Sequence, residues 1–334
     1  MPAPLRPSGT ASSVRRLILL RLVDGDGVAG HGEAAPLEDY DGVSMDQVLK
    51  ALAAHTSVLA MNDWPADSDV RAACAEADPL PQALAAVDLA LWDLAGRRAA
   101  KPVSELLGVS DPAPIRVNAT IGAVDPRTAA EEALAARESG FSCIKVKVGT
   151  PDDRQRLAAT RDAVGPDMLI RVDANGAWTQ LDAPERIRAL SRFDIELFEE
   201  PVHGHAAIEA VARLVPKFAL ALDESESANL GTFAHRYCDA VCLKVASSGG
   251  LTGLIRDAEA ARRVGYEVYI ASTLDGPLGI AAALHAAAVV KPDRQCGLAT
   301  LGRFDRPNPL PAVDGHMQVP GGPGLGEGLV AWYT

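Results

Sequence analysis

Five short apolar runs end on charged residues: Ile144-Lys145-Val146-Lys147-Val148-Gly149, Arg171-Val172-Asp173-Ala174-Asn175, Phe198-Glu199-Glu200-Pro201, Leu222-Asp223-Glu224-Ser225 and Leu243-Lys244-Val245. Asp173, Glu199 and Asp223 offer three carboxylates. All-oxygen ligation with open positions suits a hard divalent ion, Mg²⁺ with Mn²⁺ as a substitute. Lys145 and Lys147, two residues apart on a β-branched run, share one face of a strand. A lysine serves as a base at neutral pH when nearby positive charge disfavours its ammonium form, and Lys145 and the ion would both act on Lys147 in that way. Lys244 is expected to face Lys147 across the ion. The chemistry implied is removal of the proton α to a carboxylate, with the ion stabilising the dianionic enolate.

These chemical residues sit 26, 26, 24 and 21 residues apart (Lys147, Asp173, Glu199, Asp223, Lys244). That is about one strand, one helix and two loops per step. A charged residue at the carboxyl end of each of five consecutive strands marks the active face of a β/α barrel. The spacing predicts strands at Ile115–Ile121, Cys143–Val148, Leu169–Asp173, Leu197–Glu199, Phe218–Leu222, Ala240–Lys244, Glu267–Ala271 and Gly297–Leu301. Alanine-rich helices such as Ala129–Ser139 and Leu251–Val264 lie between them, and right-handed crossovers fix the hand.

Ahead of the barrel, Val14–Val23 and Val28–Ala34 read as a hairpin around Asp24-Gly25-Asp26-Gly27. From Met45 to Gly108 the pattern is helical, with Leu84, Val87, Leu91 and Leu94 on one face. The fold class is therefore α/β, a (β/α)8-type (TIM-like) barrel with an N-terminal α+β capping domain. The expected divisions are residues 1–112 for the cap, 113–304 for the barrel with its catalytic site, and 305–334 for a Gly- and Pro-rich segment returning to the cap.

At 334 residues, 48% hydrophobic and 23% charged, the chain has enough material for a barrel of about 250 residues and an extra module. A net charge of −12 argues against nucleic acid or an anionic membrane as partner, whereas a metal and lysines can still hold a small anionic substrate. The five cysteines (Cys74, Cys143, Cys238, Cys242, Cys296) form no CxxC pair and read as buried thiols in a reducing compartment. No charge-free apolar run approaches about 20 residues and no signal architecture opens the chain, so the expected location is the cytoplasm.

The motifs resemble the muconate-lactonizing-enzyme branch of the enolase superfamily, over nearly the whole chain. Gly32-Glu33-Ala34-Ala35-Pro36-Leu37 resembles the capping-domain motif. Ala90-Leu91-Trp92-Asp93-Leu94-Ala95-Gly96, with Pro102 and Leu106-Leu107-Gly108, resembles the helix closing that domain. Lys145-Val146-Lys147 is similar to the paired-lysine strand, whose second lysine is the family's acid/base. Asp173, Glu199 and Asp223 match its metal ligands, and Lys244 its sixth-strand lysine. A lysine or histidine base with Mg²⁺ on the enediolate is the pattern of enolase-superfamily sites, so the match is to a known arrangement.

The resemblance implies a small carboxylate substrate, and among reactions a syn-dehydration of the o-succinylbenzoate synthase type. Alternatives are N-acylamino-acid racemisation and muconate-type cycloisomerisation. Dipeptide epimerisation is disfavoured because Gly297-Leu298-Ala299-Thr300-Leu301 lacks the Asp-x-Asp that holds a substrate ammonium, although Asp275 could serve. The seventh strand ends Ala271-Ser272-Thr273-Leu274-Asp275, without the histidine of mandelate-racemase-like members. A silent carboxylate-binding barrel would need only the acids, so retention of Lys147 and Lys244 speaks against it. Barrels of this kind often assemble, and a homo-oligomer is expected.

Around this set, Asn175, Glu224, Ser272, Thr273 and Asp275 are expected substrate or supporting contacts. Glu200 and Glu224 point away from the ligand face. Tyr40 with 38–42 and residues 4–13 are lid candidates. Ser247-Ser248-Gly249-Gly250 is either a carboxylate-binding turn or a tight strand-to-helix connection. His203 and His205 read as loop residues.

Overall fold

The computed structural model describes residues 14–60, 69–223, 225 and 235–334. Residues 4–13 and Glu224, named above, lie outside them.

The chain opens on an antiparallel hairpin, β1 (Ile18–Val23) and β2 (Ala29–Ala34), paired from Ile18↔Ala34 to Val23↔Ala29. Asp24 Oδ1 accepts the N–H groups of Asp26 and Val28, both at 2.9 Å, which closes the turn. The first strand starts later than expected. Arg15 instead spends its guanidinium on the carbonyls of Ala35 (2.6 Å), Leu274 (3.1 Å), Thr273 (3.2 Å) and Pro36.

Five helices follow: α1 (Glu38–Asp41), α2 (Met45–Leu59), α3 (Val70–Ala77), α4 (Pro81–Ala99) and α5 (Val103–Leu106). Ser44 and Gln47 form a capping box on α2, and Asp69 accepts the Ala72 N–H at the start of α3. Helix α4 lies directly on β2. A Cβ at Gly32 would stand 1.9 Å from the Ala86 carbonyl oxygen, so glycine is what lets the two backbones meet.

The barrel alternates strand and helix: β3 (Ile115–Arg116), β4 (Ala119–Ile121), α6 (Pro126–Glu138), β5 (Cys143–Lys147), α7 (Asp153–Val164), β6 (Leu169–Asp173), α8 (Ala183–Leu190), β7 (Ile195–Glu199), α9 (His205–Leu214), β8 (Leu220–Leu222), β9 (Ala240–Leu243), α10 (Leu251–Val264), β10 (Glu267–Ile270) and α11 (Pro277–Val290). The seven strands β4 to β10 form one parallel sheet in sequence order. Cys296 and Gly297 close the ring, bridging in parallel to Val117 and Ala271.

Three expected barrel strands are shorter by two residues or more, one being Phe218–Leu222, which is reduced to Leu220–Leu222. The run Ile115–Ile121 is divided, because Ile115–Arg116 pairs antiparallel with β11 (His316–Met317) and only Ala119–Ile121 continues into the barrel sheet. The run Gly297–Leu301 contributes only Gly297 to the ring, beside Cys296, and then turns at once, with the Thr300 N–H on Leu298 O at 2.8 Å.

Burial follows the strand alternation. Ile144, Val146, Val172, Phe198, Leu222, Val241, Leu243 and Ile270 face the helices in the main core. Leu197, Ala221, Ala240, Cys242, Tyr269 and Ala271 fill the barrel interior as a separate cluster. Every residue of β5 is buried, lysines included. Helix α11 is apolar on nearly all sides, as expected of a helix enclosed between the barrel, β2 and α5.

The last segment reaches back to α4. Asp93, fully buried, accepts N–H groups from His31 (2.8 Å) and Leu325 (2.9 Å) and pairs with Arg97 (2.8 Å). Gly324 bonds on both sides, donating to Lys101 O and accepting from the Val103 N–H, each at 3.0 Å. No helix among the described residues is long and apolar enough to cross a membrane.

Candidate active site

Register puts the charged residues on one rim. Lys147 pairs with Asp173, and Asp173 with Glu199, as Cα partners on adjacent strands. Asp223 follows β8 directly, and Lys244 follows β9. Counting β4 as the first strand of the ring and Cys296–Gly297 as the eighth, β5 is second and β9 sixth. In a closed ring of eight those positions are opposite, so Lys147 and Lys244 approach the rim from opposite sides.

All six of these side chains are buried: Lys145, Lys147, Asp173, Glu199, Asp223 and Lys244. Lys145 Nζ donates to Glu199 Oε1 at 2.6 Å and pairs with Asp173 Oδ2 at 2.8 Å. Lys147 Nζ donates to Asp173 Oδ2 at 2.5 Å and to Asn175 Oδ1 at 2.7 Å. Lys244 pairs with Asp223 Oδ1.

The charges set each other's protonation. Burial opposes the Lys145 ammonium, but Asp173 and Glu199 outweigh it and hold its pKa above the ordinary lysine value. Burial likewise opposes ionisation of Asp173, yet Lys145 and Lys147 hold it below the usual carboxylate range. Lys244 goes the other way: burial, aided by Lys145 and Lys147, brings it down to about 7 against the pull of Glu199 and Asp173. A lysine brought down in this way can exchange protons at neutral pH.

A hard cation fits this donor set. The three carboxylates come from three neighbouring strand ends, and Glu199 Oε2 is buried without a hydrogen-bond partner among the described residues. Such an orphaned acceptor costs about 1–3 kcal/mol unless something binds it. Asp173, Glu199 and Asp223 would hold the ion.

Supporting residues brace the ligands. Asn175 adopts φ 44° and places its N–H on Asp173 Oδ1 at 2.8 Å while its side chain meets Lys147. Glu200 is fully buried behind the rim and accepts the Asp223 N–H (2.8 Å) and the Ser225 N–H (3.1 Å). The turn at Ser247–Gly250 is held by the cap: Thr252 N–H donates to Asp88 Oδ2 at 3.0 Å, and Arg71 donates to Gly249 O at 3.0 Å. Gly250 has φ 110°, and a Cβ there would stand 2.4 Å from Asp88. His203 lies beside Glu200 (3.5 Å) and His205 beside Tyr237 (2.5 Å). Neither histidine lines the cavity above the lysines.

That cavity, of about 210 Å³, opens between cap and rim. Tyr40, Val43, Leu80 and Pro81 form its cap wall, with Lys244, Ala246, Ser247 and Thr273 opposite. The Lys244 Nζ lies 5.1 Å from the centroid of the Tyr40 ring. Asp41 also lines the cavity, but its carboxylate is occupied by the Val43 N–H (2.9 Å), Gln82 (3.1 Å) and the Leu37 N–H (3.2 Å). Ser272 bonds Thr300 at 2.8 Å, and Thr273 donates to Asp275 Oδ1 at 2.8 Å.

Three features escaped the sequence reading. Cys242 points inward, two residues before Lys244, with its Sγ within 4.8 Å of Glu199 and Asp223 oxygens; the alternation that located Lys244 also locates this thiol. Arg171 is wholly buried under the rim, 5.1 Å from the Tyr269 ring centroid. Glu33 Oε1 accepts the Gly276 N–H at 2.6 Å, while Oε2 takes the Tyr333 hydroxyl, so β2, the start of α11 and the chain end meet at one acid.

The chain matches two family models: mandelate racemase/muconate lactonizing enzyme, N-terminal domain, over residues 1–108, and enolase C-terminal domain-like over residues 128–330. It is 31% identical over 280 residues to a hydrophobic dipeptide epimerase of Enterococcus faecalis, covering 80% of this chain and 77% of that one. To the o-succinylbenzoate synthase of Thermobifida fusca it is 36% identical over 205 residues, 57% of this chain and 62% of that one. The crystal structure of a dipeptide epimerase from Cytophaga hutchinsonii, complexed with Mg and the dipeptide D-Ala-L-Val, superposes with a TM-score of 0.83 at 25% identity, covering 94% of this chain and 90% of that one.

Proposed function

The chain belongs to the enolase superfamily, in its mandelate racemase/muconate lactonizing enzyme branch, and on that premise we propose that it abstracts the α-proton of a small carboxylate with Mg²⁺ as cofactor. The observation that carries this reading is the placement of Lys147 and Lys244 on opposite strands of the ring, with three buried carboxylates on the strands between them. When bound, Mg²⁺ supplies charge stabilisation to the substrate carboxylate as its α-proton leaves. Mn²⁺ can take the same role.

Lys147 removes the α-proton from one face; Asn175 and Asp173 fix its amine. Lys244 faces the other side and can stabilise the developing charge or return a proton there. Lys145 stays cationic against Asp173 and Glu199 and balances their charge. The cap excludes water through Tyr40 and its neighbours.

Of the finer outcomes, syn-dehydration of the o-succinylbenzoate synthase type is our first. There Lys147 takes the α-proton and then delivers it to the departing β-hydroxyl on the same face, releasing water. What supports this reading in the cavity is that Asp41, an acid on its cap wall, already accepts from Val43, Gln82 and Leu37, while Val43, Leu80 and Pro81 offer apolar contact. A second reading, proton transfer that inverts the α-carbon of an N-acylamino acid or dipeptide, is favoured by the identity shared with dipeptide epimerases. Against a free ammonium stands the absence of an acid in Gly297–Leu301.

One experiment separates these. A panel of cyclohexadiene carboxylates, N-acylamino acids and dipeptides is incubated in D₂O with Mg²⁺ and followed by NMR. Dehydration appears as loss of the β-hydroxyl, and racemisation as deuterated product of both configurations. A panel in which no α-hydrogen exchanges sinks the enzyme reading and leaves a carboxylate-binding barrel.

A further inference from the structure

Cys242 on strand β9 and Lys244 just past its end both point inward, because inward positions recur every second residue. The β8–β9 register runs Ala221↔Ala240 and Leu222↔Val241, so continuing it sets Asp223 beside Cys242. The buried Cys242 Sγ lies within 4.8 Å of ligand oxygens of both Asp223 and Glu199. Within the triad, Glu199 is 1% exposed and spends Oε1 on Lys145 at 2.6 Å, which leaves the buried Oε2 as its atom for a metal.

Donor chemistry separates this triad from the all-oxygen one. Mg²⁺ takes oxygen and leaves a sulfur uncoordinated. Zn²⁺ and Cd²⁺ favour thiolate, and two carboxylates with one sulfur, plus water, make a four-coordinate set. With metal–sulfur and metal–oxygen bonds near 2.3 and 2.1 Å, tetrahedral donors stand about 3.5 Å apart.

We propose that Cys242, Glu199 and Asp223 form a sulfur-containing site for soft divalent ions, overlapping the Mg²⁺ ligands so that Zn²⁺ or Cd²⁺ competes with Mg²⁺. The thiol proton passes to solvent as the metal–sulfur bond forms. The site shares two ligands with the magnesium reading and rests on it for the competition alone.

The test is a Cd²⁺ titration of the metal-freed full chain, followed by the ultraviolet thiolate-to-cadmium absorption. The expected band saturates at a single Cd²⁺ per chain and disappears in Cys242→Ser. Cd²⁺ affinity in that variant falls by more than about 100-fold, beyond the range for disturbing an outer-shell group. In a parent chain that binds Mg²⁺ by calorimetry, added Mg²⁺ shifts the Cd²⁺ curve to higher concentration. A band undiminished in both Cys242→Ser and Cys242→Ala overturns the proposal, and so does a Cd²⁺ curve indifferent to Mg²⁺. Mg²⁺ binding by the variants shows that they are folded. A Cys242-dependent band in a parent that gives no Mg²⁺ heat defeats the magnesium reading and leaves the sulfur site standing. Mg²⁺ binding without such a band defeats the sulfur site alone.

Discussion

Glu200 Oε2 accepts the backbone N–H of Asp223 at 2.8 Å from behind the rim. Glu200 holds φ 38° to do so, a left-handed conformation that a non-glycine residue adopts at a cost of about 1–3 kcal/mol. The neighbouring strand end is thereby fixed by an acid that itself turns away from the ligand set. Replacing Glu200 with Ala leaves the N–H groups of Asp223 and Ser225 without their acceptor. We expect Mg²⁺ affinity, read by calorimetry, to fall roughly 10- to 100-fold. An unchanged affinity would show that Asp223 is positioned by its own strand.

Glu33 gives the junction of cap, barrel and chain end a pH dependence. Burial, and then Asp275, push its carboxyl up to about 7 from 4.5. The folded chain therefore keeps a proton that the unfolded chain releases between pH 4.5 and 7. The stability from this group is complete below pH 4.5 and is lost as pH rises through 7, at about 1.4 kcal/mol per pH unit or roughly 3 kcal/mol in all. Urea midpoints across that window should fall more steeply in the parent than in Glu33→Gln. Equal slopes in the two chains would contradict it.

The close contact of α4 with β2 makes a simpler stability claim. Gly32→Ala would put a methyl 1.9 Å from the Ala86 carbonyl oxygen, and both groups are backbone-held. The expected cost is about 1–3 kcal/mol or more, seen as a lower thermal midpoint. A midpoint equal to the parent's would mean that α4 can lift from the hairpin freely.

The barrel and its rim were legible because their signal is periodic. Lys147, Asp173, Glu199, Asp223 and Lys244 each end an apolar run, and their even spacing requires strands in one ring. Strand lengths were less legible. Ile115–Arg116 looks like the start of a barrel strand but pairs with His316–Met317, a partner about 200 residues away that no local pattern announces. Cys242 carries no charge to mark it and reads as core until its register beside Asp223 is known. The Glu33–Tyr333 bond joins residues 300 apart, and only the packed fold brings them together.

Lys244 distinguishes the two outcomes proposed for the reaction. In Lys244→Ala the opposite face loses its cation, and turnover should fall by at least about 100-fold. If the chain inverts its substrate, α-hydrogen exchange should persist from the one configuration that presents its hydrogen to Lys147. NMR of the separated stereoisomers in D₂O reads this directly. Exchange from both configurations would remove Lys244 from the reaction.

The most direct test of the central claim is solvent exchange at the α-carbon in Lys147→Ala beside the parent, each with Mg²⁺ affinity measured by calorimetry. The parent should incorporate deuterium only when Mg²⁺ is present. In Lys147→Ala we expect exchange and turnover to fall by about 100- to 10,000-fold, with Mg²⁺ still bound. Normal exchange in that variant would contradict the assignment of Lys147 as the base.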